Sequence, residues 1–305
     1  MKRILVIKLG ALGDFILSTG AFSDIRAHHK NDHITLLTQP PYAGLGEKTG
    51  CFDAVSVDPR KPFWNIKYLI EMRRKLGGFD MVYDLQTNDR SAAYFHLAGK
   101  PQWSGIAKGC SHPQRNQNRN NMHTIDRVQD QLRDAGLTPS HEVDFRFAAS
   151  DIAGLLKRYD LEDEHFTVLV PGGAPHRPGK RWPHFEDLAH YLLNHGHKVV
   201  LIGTNAEEDI LKRISEKTGA INLCGKTNIA QLADLFVRSQ YCVGNDTGPM
   251  HIAAACGATG AVLFGNESNP ELCAPRSETM AIMQKENIAS ISPQEVLEKL
   301  GISKA

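Results

Sequence analysis

Cysteine is scarce and widely spaced in this sequence. The 305 residues include six cysteines, and no two of them form a CxxC pair. A disulfide framework or a cysteine-rich metal site would need closer and more regular pairs. We therefore expect reduced thiols, as in a cytoplasmic protein.

Long hydrophobic runs are also missing. No segment approaches the roughly 20 apolar residues that span a bilayer, and the opening MKRILVIKLG reads as a strand rather than as a signal peptide. These absences favour a cytoplasmic location. They leave open a peripheral contact with the inner face of the inner membrane.

An excess of charge of one sign is absent as well. Lys and Arg number 35 against 34 Asp and Glu, which gives a formal net charge of +1. Nucleic-acid binding is therefore not expected, because no overall field favours a polyanion. An anionic ligand must be held by local groups.

The sequence does contain a regular alternation of short apolar runs and segments of helical period. This alternation predicts βα units, parallel sheets and an α/β fold. A prior of roughly 150 residues per domain indicates two doubly wound, Rossmann-like domains, which we place at residues 1–155 and 156–305. Ligands of such sheets bind at the carboxyl ends of the strands, so we expect a cleft between the halves. The first-half strands are predicted at residues 3–9, 33–39, 53–57 and 81–86.

The most specific stretch is VGNDTGPMHIAAACG, residues 243–257, which passes from a buried strand into a helix. Asp246 or Thr247 fits the cap of this helix, and Gly248 lets another group approach the backbone. The N–H groups of a helix start bind anions, so we expect the diphosphate of a nucleotide sugar here, with His251 donating a further bond. The alternative is an ordinary capped helix.

Three further residues complete the predicted donor site. Lys180 follows a Pro-Gly-Gly turn, and its charge would offset the charge of a departing diphosphate without a metal. Glu207 opens a helix and would accept the ribose hydroxyls, or it serves only the helix dipole. Thr227 begins the next helix and is either its N-cap or the border of a base pocket.

The turn KLGALGDF, residues 8–15, places Asp14 after the first strand. A carboxylate that faces an acceptor hydroxyl is a candidate general base, and an N-cap is the alternative. The turn matches the GxGxxG fingerprint of NAD-dependent oxidoreductases poorly, because an acid stands where the third glycine belongs. That enzyme class and a nucleotide-binding protein without transfer activity are the competing hypotheses.

A long polar stretch in the first half predicts an acceptor-binding element. It combines the segment at residues 84–99, which contains Arg90, with the loop at residues 104–127, which is rich in Asn, Gln and Arg. Loops of this length are usually lids, binding elements or disordered. Arg90, Arg115 and Arg119 would meet an anionic acceptor. A solvated loop is the alternative.

Several motifs together resemble glycosyltransferase family 9, the lipopolysaccharide heptosyltransferases and their relatives. They are the opening IKLGALGD, PGG followed by KRWP, the turn IGTNAEED, and GKTNIAQLADLF followed by VGNDTGPMHIAAACG and LFG. The resemblance runs over most of the chain, and the last block is its most specific part.

The resemblance implies a GT-B architecture whose final helix returns to the first domain. It also implies an inverting, metal-independent transfer of a sugar, heptose from an ADP-linked donor, to a lipid-linked glycan acceptor, with no cofactor and no obligate protein partner. By motif, Asp14 is the general base and Lys180 the diphosphate contact. The implied donor site further includes Glu207, Thr227, Asp246, Thr247, Gly248 and His251.

Overall fold

The computed structural model describes residues 1–162, 165–173 and 177–302. The chain divides into two compact units, Met1–Phe147 and Ala148–Ala305. Within the described residues, each unit is built on one six-stranded parallel sheet with helices between the strands. This confirms the predicted α/β class.

The first unit begins with a strand and alternates as the sequence predicts. Its strands are β1 (Arg3–Ile7), β2 (His33–Thr38), β3 (Ala54–Val57), β4 (Met81–Asp84), β5 (Gln102–Gly105) and β6 (His112–Pro113). Its helices are α1 (Leu12–Leu17), α2 (Thr19–His28), α3 (Ala43–Lys48), α4 (Ile66–Leu76), α5 (Asp89–Leu97) and α6 (Thr124–Asp134).

The second unit repeats the alternation after one additional helix. Its strands are β7 (Phe166–Val170), β8 (Lys198–Leu201), β9 (Ile221–Asn222), β10 (Tyr241–Asn245), β11 (Gly260–Phe264) and β12 (Met280–Gln284). Its helices are α7 (Ala153–Arg158), α8 (Phe185–Asn194), α9 (Glu208–Thr218), α10 (Ile229–Arg238), α11 (Gly248–Ala255), α12 (Pro270–Cys273) and α13 (Pro293–Lys299). Across the described ranges of both units, no helix has the length and apolar character to cross a membrane.

The two sheets share one strand order. The first runs β3-β2-β1-β4-β5-β6 and the second β12-β11-β10-β7-β8-β9, so the first strand of each unit pairs with its second and its fourth. Ile4 lies opposite Ile34 and Met81 in the first sheet. This is the order of doubly wound, dinucleotide-binding sheets.

The central strands are buried along most of their length. Four of the five residues of β1 and all five of β7 are buried. Helices cover both faces of a parallel sheet, so its inner strands are continuously apolar rather than alternating. The apolar runs RILVI and FTVLV therefore mark the middle of each sheet.

The boundary between the units lies before the predicted residue 155. Residues after Ala148 already belong to the second unit, because backbone groups there bond to α10. The N–H of Ser150 donates to the Ala230 oxygen at 3.3 Å, and that of Ile152 to Asp234 Oδ2 at 3.2 Å. The segment that leads into α7 is therefore bonded to α10 of the second unit.

The last helix lies in the core of the second unit. Val296 and Leu297 of α13 are buried in the same hydrophobic cluster as Leu188 and Leu192 of α8. A capping box at Ser292 and Glu295 starts this helix. The return of the last helix to the first domain, which the family resemblance implies, stays a prediction.

Two short strands in the first unit were not predicted. β5 reads QWSG and β6 is two residues long, so neither presents an apolar run to periodicity analysis. β5 overlaps the start of the stretch predicted as a polar loop, and β6 lies within that stretch. Trp103 of β5 is fully buried in the hydrophobic core of the first unit.

Candidate functional site

Three of the predicted donor residues meet at the centre of the second sheet. β7 and β10 are neighbours there, and their carboxyl ends lead to Pro171 and to Asp246. The chain order reverses between these two strands, which is where open α/β sheets bind ligands. Residues 174–176 of the Pro-Gly-Gly loop lie outside the described residues.

The structure brings Lys180, Asp246 and His251 together. Lys180 Nζ donates to Asp246 Oδ2 at 2.6 Å, and His251 Nε2 lies 3.8 Å from Asp246 Oδ1. Only 13% of the lysine side chain and 8% of each of the other two side chains are exposed. One carboxylate thus contacts a cation and an imidazole beside the start of α11.

Asp246 is ionised at neutral pH although it is buried. Burial raises the pKa of this carboxyl, but the nearby His251, the hydrogen bond from Lys180 and the charge of the lysine outweigh burial and lower the pKa to about 2. Lysine and carboxylate therefore form a true ion pair.

α11 begins without a side-chain cap. Thr247 occupies the N-cap position, but its hydroxyl donates to the Asn245 backbone oxygen at 3.2 Å. Residues 246–249 are partly exposed, so the positive end of the helix dipole is accessible. His251 Nδ1 is buried and, among the described residues, has no hydrogen-bond partner. An uncapped helix start and an unused imidazole nitrogen therefore lie close together.

Asn245 organises this region, and the sequence analysis missed it. Its side-chain oxygen accepts from the Trp182 N–H at 3.0 Å, and its amide nitrogen donates to the oxygens of Pro171 and Gly172, both at 2.9 Å. The residue is completely buried. It joins the end of β10 to both sides of the loop that carries Lys180. A buried asparagine at the end of an apolar strand, directly before Asp246, was the available signal.

Glu207 lies at the rim of the same sheet edge and caps its own turn. Its Oε2 accepts from the Thr204 N–H at 2.8 Å and from the Thr204 hydroxyl at 3.0 Å. The carboxylate also lies against Gly172, where a Cβ atom would collide with it. Glu207 therefore completes a capping box with Thr204, beside the loop after β7.

Thr227 is not the cap of the helix that follows it. Asn228 caps α10 instead, since its side chain accepts from Gln231 N–H at 2.9 Å and completes a capping box. The N-cap interpretation of Thr227 is therefore wrong. Thr227 is partly exposed just before that cap.

Asp14 lies in the first turn of α1, directly after the central strand of the first sheet. It is partly exposed. Its charge acts on two neighbours, because it raises the pKa of Tyr42 together with burial and partly offsets the lowering of the Lys8 pKa by burial. Asp14 thus stands at the carboxyl edge of the first sheet.

A buried lysine and aspartate accompany Asp14 at this edge. Lys8 Nζ donates to the Leu85 oxygen at 3.2 Å. Burial raises the pKa of Asp84 to about 6, although the charge of Lys8 and backbone N–H groups of Thr87 and Gln86 favour the ionised form. Sequence patterns gave no sign of this pair, since both residues stand within predicted strands.

Arg90 is bound to a buried tyrosine network. Its Nε donates to the Tyr94 hydroxyl at 2.8 Å and one terminal nitrogen to the Tyr68 hydroxyl at 2.7 Å. Both hydroxyls also donate to the carboxylate of Asp58, which is fully buried. This guanidinium therefore belongs to a hydrogen-bond network within the first unit that includes the two tyrosines and Asp58.

Arg115 and Arg119 lie in the polar stretch at different depths. Arg115 is exposed, and its backbone N–H donates to Asp134 Oδ2 at 2.8 Å. Arg119 is partly buried and donates to Gln114 Oε1 at 2.6 Å. Burial and the nearby Arg127 lower the pKa of Arg119. The predicted arginines are thus distributed over separate environments.

The family of the chain follows from its sequence match. Residues 70–300 match the family described as glycosyltransferase family 9 (heptosyltransferase). This span is well over half of the 305 residues. The chain belongs to glycosyltransferase family 9. The architecture of two doubly wound units is the GT-B class that the sequence predicted.

Curated relatives match part of the chain. Lipopolysaccharide heptosyltransferase 2 of Salmonella typhimurium is 32% identical over 167 residues, which cover 47% of this chain and 48% of that protein. Lipooligosaccharide heptosyltransferase 2 of Haemophilus influenzae is 31% identical, with 42% and 44% covered. The chain therefore spans about half the length of the curated relatives it matches.

Solved structures share the fold over nearly the whole chain. A glycosyltransferase family 9 protein from Veillonella parvula superposes with a TM-score of 0.87 at 23% identity, covering 98% of this chain and 97% of that one. An Escherichia coli heptosyltransferase with ADP superposes with a TM-score of 0.78 at 19% identity, covering 98% and 99%. At these identities the likeness shows the fold.

Proposed function

We propose that the protein is an inverting glycosyltransferase that moves heptose from ADP-heptose to a lipopolysaccharide or other lipid-linked surface glycan. The heptosyltransferase names of the relatives support the sugar and the acceptor class. The solved family structures that contain ADP or an ADP-linked fluoroheptose support the donor.

One observation carries the proposal for the donor site. Lys180 lies against Asp246 at the uncapped start of α11, at the carboxyl edge of the second sheet. A helix start and a lysine together suit a diphosphate, since each favours negative charge. Gly248 would let a phosphate oxygen approach the backbone. His251 Nδ1 would donate to that oxygen while Nε2 faces Asp246, with both ring nitrogens protonated between the two anions.

Asp246 acts in this proposal through Lys180. A carboxylate that faced the diphosphate directly would repel it, whereas one that binds the ammonium group fixes that group in place. The same carboxylate orients His251. Asp246 is thus a positioning residue, while Glu207 and Thr227 are the proposed contacts for the ribose and the base.

Asp14 is the proposed general base. It takes the proton of the acceptor hydroxyl as that oxygen forms a bond to the anomeric carbon. The bond from this carbon to the diphosphate oxygen breaks at the same time, and ADP leaves with the electron pair. A single displacement of this kind inverts the anomeric configuration. Lys180 and the helix dipole stabilise the charge that grows on ADP.

The reaction proposed here uses these fixed protein charges instead of a metal. Within residues 1–162, 165–173 and 177–302, no group of three or more His, Cys, Asp or Glu side chains has an arrangement suited to a metal ion. Because Lys180 and the helix dipole supply the stabilising charge in this proposal, activity should survive incubation with a chelator. Loss of activity that Mg²⁺ restores would contradict it.

Arg115 and Arg119 are the main proposed contacts for the acceptor. Arg90 is the weakest of the three predicted acceptor contacts, because its hydrogen bonds serve Tyr68 and Tyr94. Arg119 shares a partly buried environment with Arg127, and such paired cations favour an anionic ligand. We propose that the protein works in the cytoplasm, at the membrane that holds its acceptor, and without an obligate protein partner.

Family membership favours this function over a nicotinamide-dependent oxidoreductase. A nucleotide-binding protein without transfer activity is distinguished by experiment. Calorimetric titrations with ADP, UDP and GDP should give at least a tenfold preference for ADP, about 1.4 kcal/mol. Indifference among the three would contradict the ADP-linked donor. Transfer of labelled heptose by the wild type but not by Asp14→Asn, with equal ADP affinity in both, would establish the reaction.

A further inference from the structure

Exposed hydrophobic side chains are concentrated in one short segment of the first unit. Among the described residues, four of the seven large hydrophobic side chains that are exposed lie within residues 63–70. Trp64 is 85% exposed, Ile66 71% and Ile70 57%. Single exposed apolar residues are ordinary, but a contiguous patch indicates a binding surface.

The patch lies on the outer side of α4. Tyr68, Met72 and Leu76 face the core at intervals of four residues. Ile66 and Ile70 have the same spacing on the opposite side. α4 thus carries two apolar stripes. One packs in the core, and a second, shorter one is exposed to solvent.

Positive charge surrounds this outer stripe. Its cations are Arg60, Lys61, Lys67, Arg73, Arg74 and Lys75, and Glu71 is the one acidic residue between positions 60 and 75. An open depression on the surface of α4 is lined by Lys67, Ile70, Glu71, Arg74 and Lys75. An apolar strip with basic side chains along it suits an anionic interface.

The loop in front of α4 is held in place from beneath. Arg90 stacks on the Phe63 ring at 4.6 Å from its centroid, and the same guanidinium donates to the Lys61 backbone oxygen. Asn65 caps the helix by accepting from the Tyr68 N–H at 3.0 Å. The exposed side chains therefore project from an ordered base.

We propose that this surface, residues 60–75, binds the headgroup region of an anionic phospholipid bilayer. Tryptophan and isoleucine would enter the boundary between headgroups and acyl chains. The cations other than Lys75, which pairs with Glu71 at 2.6 Å, would contact lipid phosphates. Charge argues against a second copy of the chain as the occupant. Two such surfaces would bring six cations of each copy face to face.

The position of the surface connects it with Asp14. The strands are parallel, so the loop between β3 and α4 leaves the carboxyl edge of the first sheet, the edge at which Asp14 follows β1. Bilayer binding here would hold the proposed acceptor side near a membrane. The inference itself does not require sugar transfer, because vesicle binding is measured without donor or acceptor.

Trp64 provides a direct reporter of binding. The other two tryptophans, Trp103 and Trp182, are no more than 1% exposed. Vesicles that contain about a third phosphatidylglycerol should shift the emission of the full-length protein to the blue and protect it from acrylamide. Pure phosphatidylcholine vesicles should cause neither change at moderate salt. Trp64→Phe should lose the signal and still sediment with anionic vesicles.

Matched variants test the apolar and basic parts separately. Ile66→Ser with Ile70→Ser should weaken co-sedimentation roughly tenfold or more, whereas Val237→Ser, an exposed site in the second unit, should not. Arg73→Gln with Arg74→Gln should weaken it roughly 25-fold, about fivefold for each charge. High salt should have a similar effect.

The result that overturns the proposal is binding that ignores these differences. Equal binding to neutral and anionic vesicles, or equal loss in the Val237→Ser control, would refute it, as would no binding at all. A dimer in solution that Ile66→Ser with Ile70→Ser dissociates would assign the surface to a second copy. Each variant should keep the wild-type affinity for ADP, so failure here is separable from failure of the proposed function.

Discussion

Lys180→Met removes the cation beside Asp246 and keeps a side chain of similar length. The usual carboxyl pKa of 3.8 and the value of about 2 for Asp246 differ by an amount worth about 2 kcal/mol. Lysine is one of several groups that produce this difference. The variant should therefore lose up to about 2 kcal/mol of unfolding free energy at neutral pH.

The pH dependence of this effect has a definite direction. The pKa of Asp246 is lower in the folded protein than in the unfolded chain, so its stabilisation is complete above about pH 4. It disappears as the pH falls through about 2. The stability difference between wild type and Lys180→Met should therefore shrink on acidification, which chemical denaturation at several pH values will measure.

The effect on ligand binding should be larger and more specific. A charge-assisted hydrogen bond contributes about 1.5–3 kcal/mol, so the variant should bind ADP roughly ten- to a hundredfold more weakly. Adenosine lacks the diphosphate, and its affinity should not change. Calorimetric titration of both ligands measures the contrast.

Two outcomes would refute the reasoning about Lys180. Equal losses of ADP and adenosine affinity would mean that the site had collapsed. Unchanged ADP affinity in a folded variant would mean that the lysine does not contact the diphosphate. Adding Asp246→Asn to Lys180→Met should restore stability but not ADP affinity, because the carboxylate is no longer buried without its cation.

Three further predictions concern the central edges of the two sheets. Asp14→Asn should reduce the transfer rate by at least about a hundredfold and leave ADP affinity unchanged in calorimetry; a rate near that of wild type would exclude this base. Asn245→Ala breaks three buried hydrogen bonds and should cost about 2–4 kcal/mol in chemical denaturation, so a loss below about 1 kcal/mol would contradict the organising role. The raised pKa of Asp84, about 6, means that its contribution to stability falls as the pH rises from about 4 to 6. Asp84→Asn should remove that slope, and an identical pH profile would count against the assignment.

The alternation of apolar runs was sufficient to predict where the main strands lie along the chain. β1 and β7 are buried on both faces, so their sequences carry a strong signal. β5 and β6 have short, polar sequences and are stabilised by pairing with β4 and with each other. Such pairing joins residues that are distant in sequence, and no local pattern reveals it.

The candidate site was predictable to the extent that its residues stand at strand ends. Lys180, Asp246 and His251 were each proposed from local motifs, and the structure brings them into contact. The motifs did not reveal that Asp246 binds Lys180. The local pattern was less informative for Arg90. Its guanidinium stands in a polar segment and was expected to face a ligand, but it bonds to tyrosine hydroxyls.

A crystal structure with ADP is the most direct test of the central claim that the start of α11 and Lys180 hold a diphosphate. We expect phosphate oxygens within about 3 Å of Lys180 Nζ and of a backbone N–H in the first turn of α11. A diphosphate bound elsewhere, with Lys180 still paired only with Asp246, would contradict it.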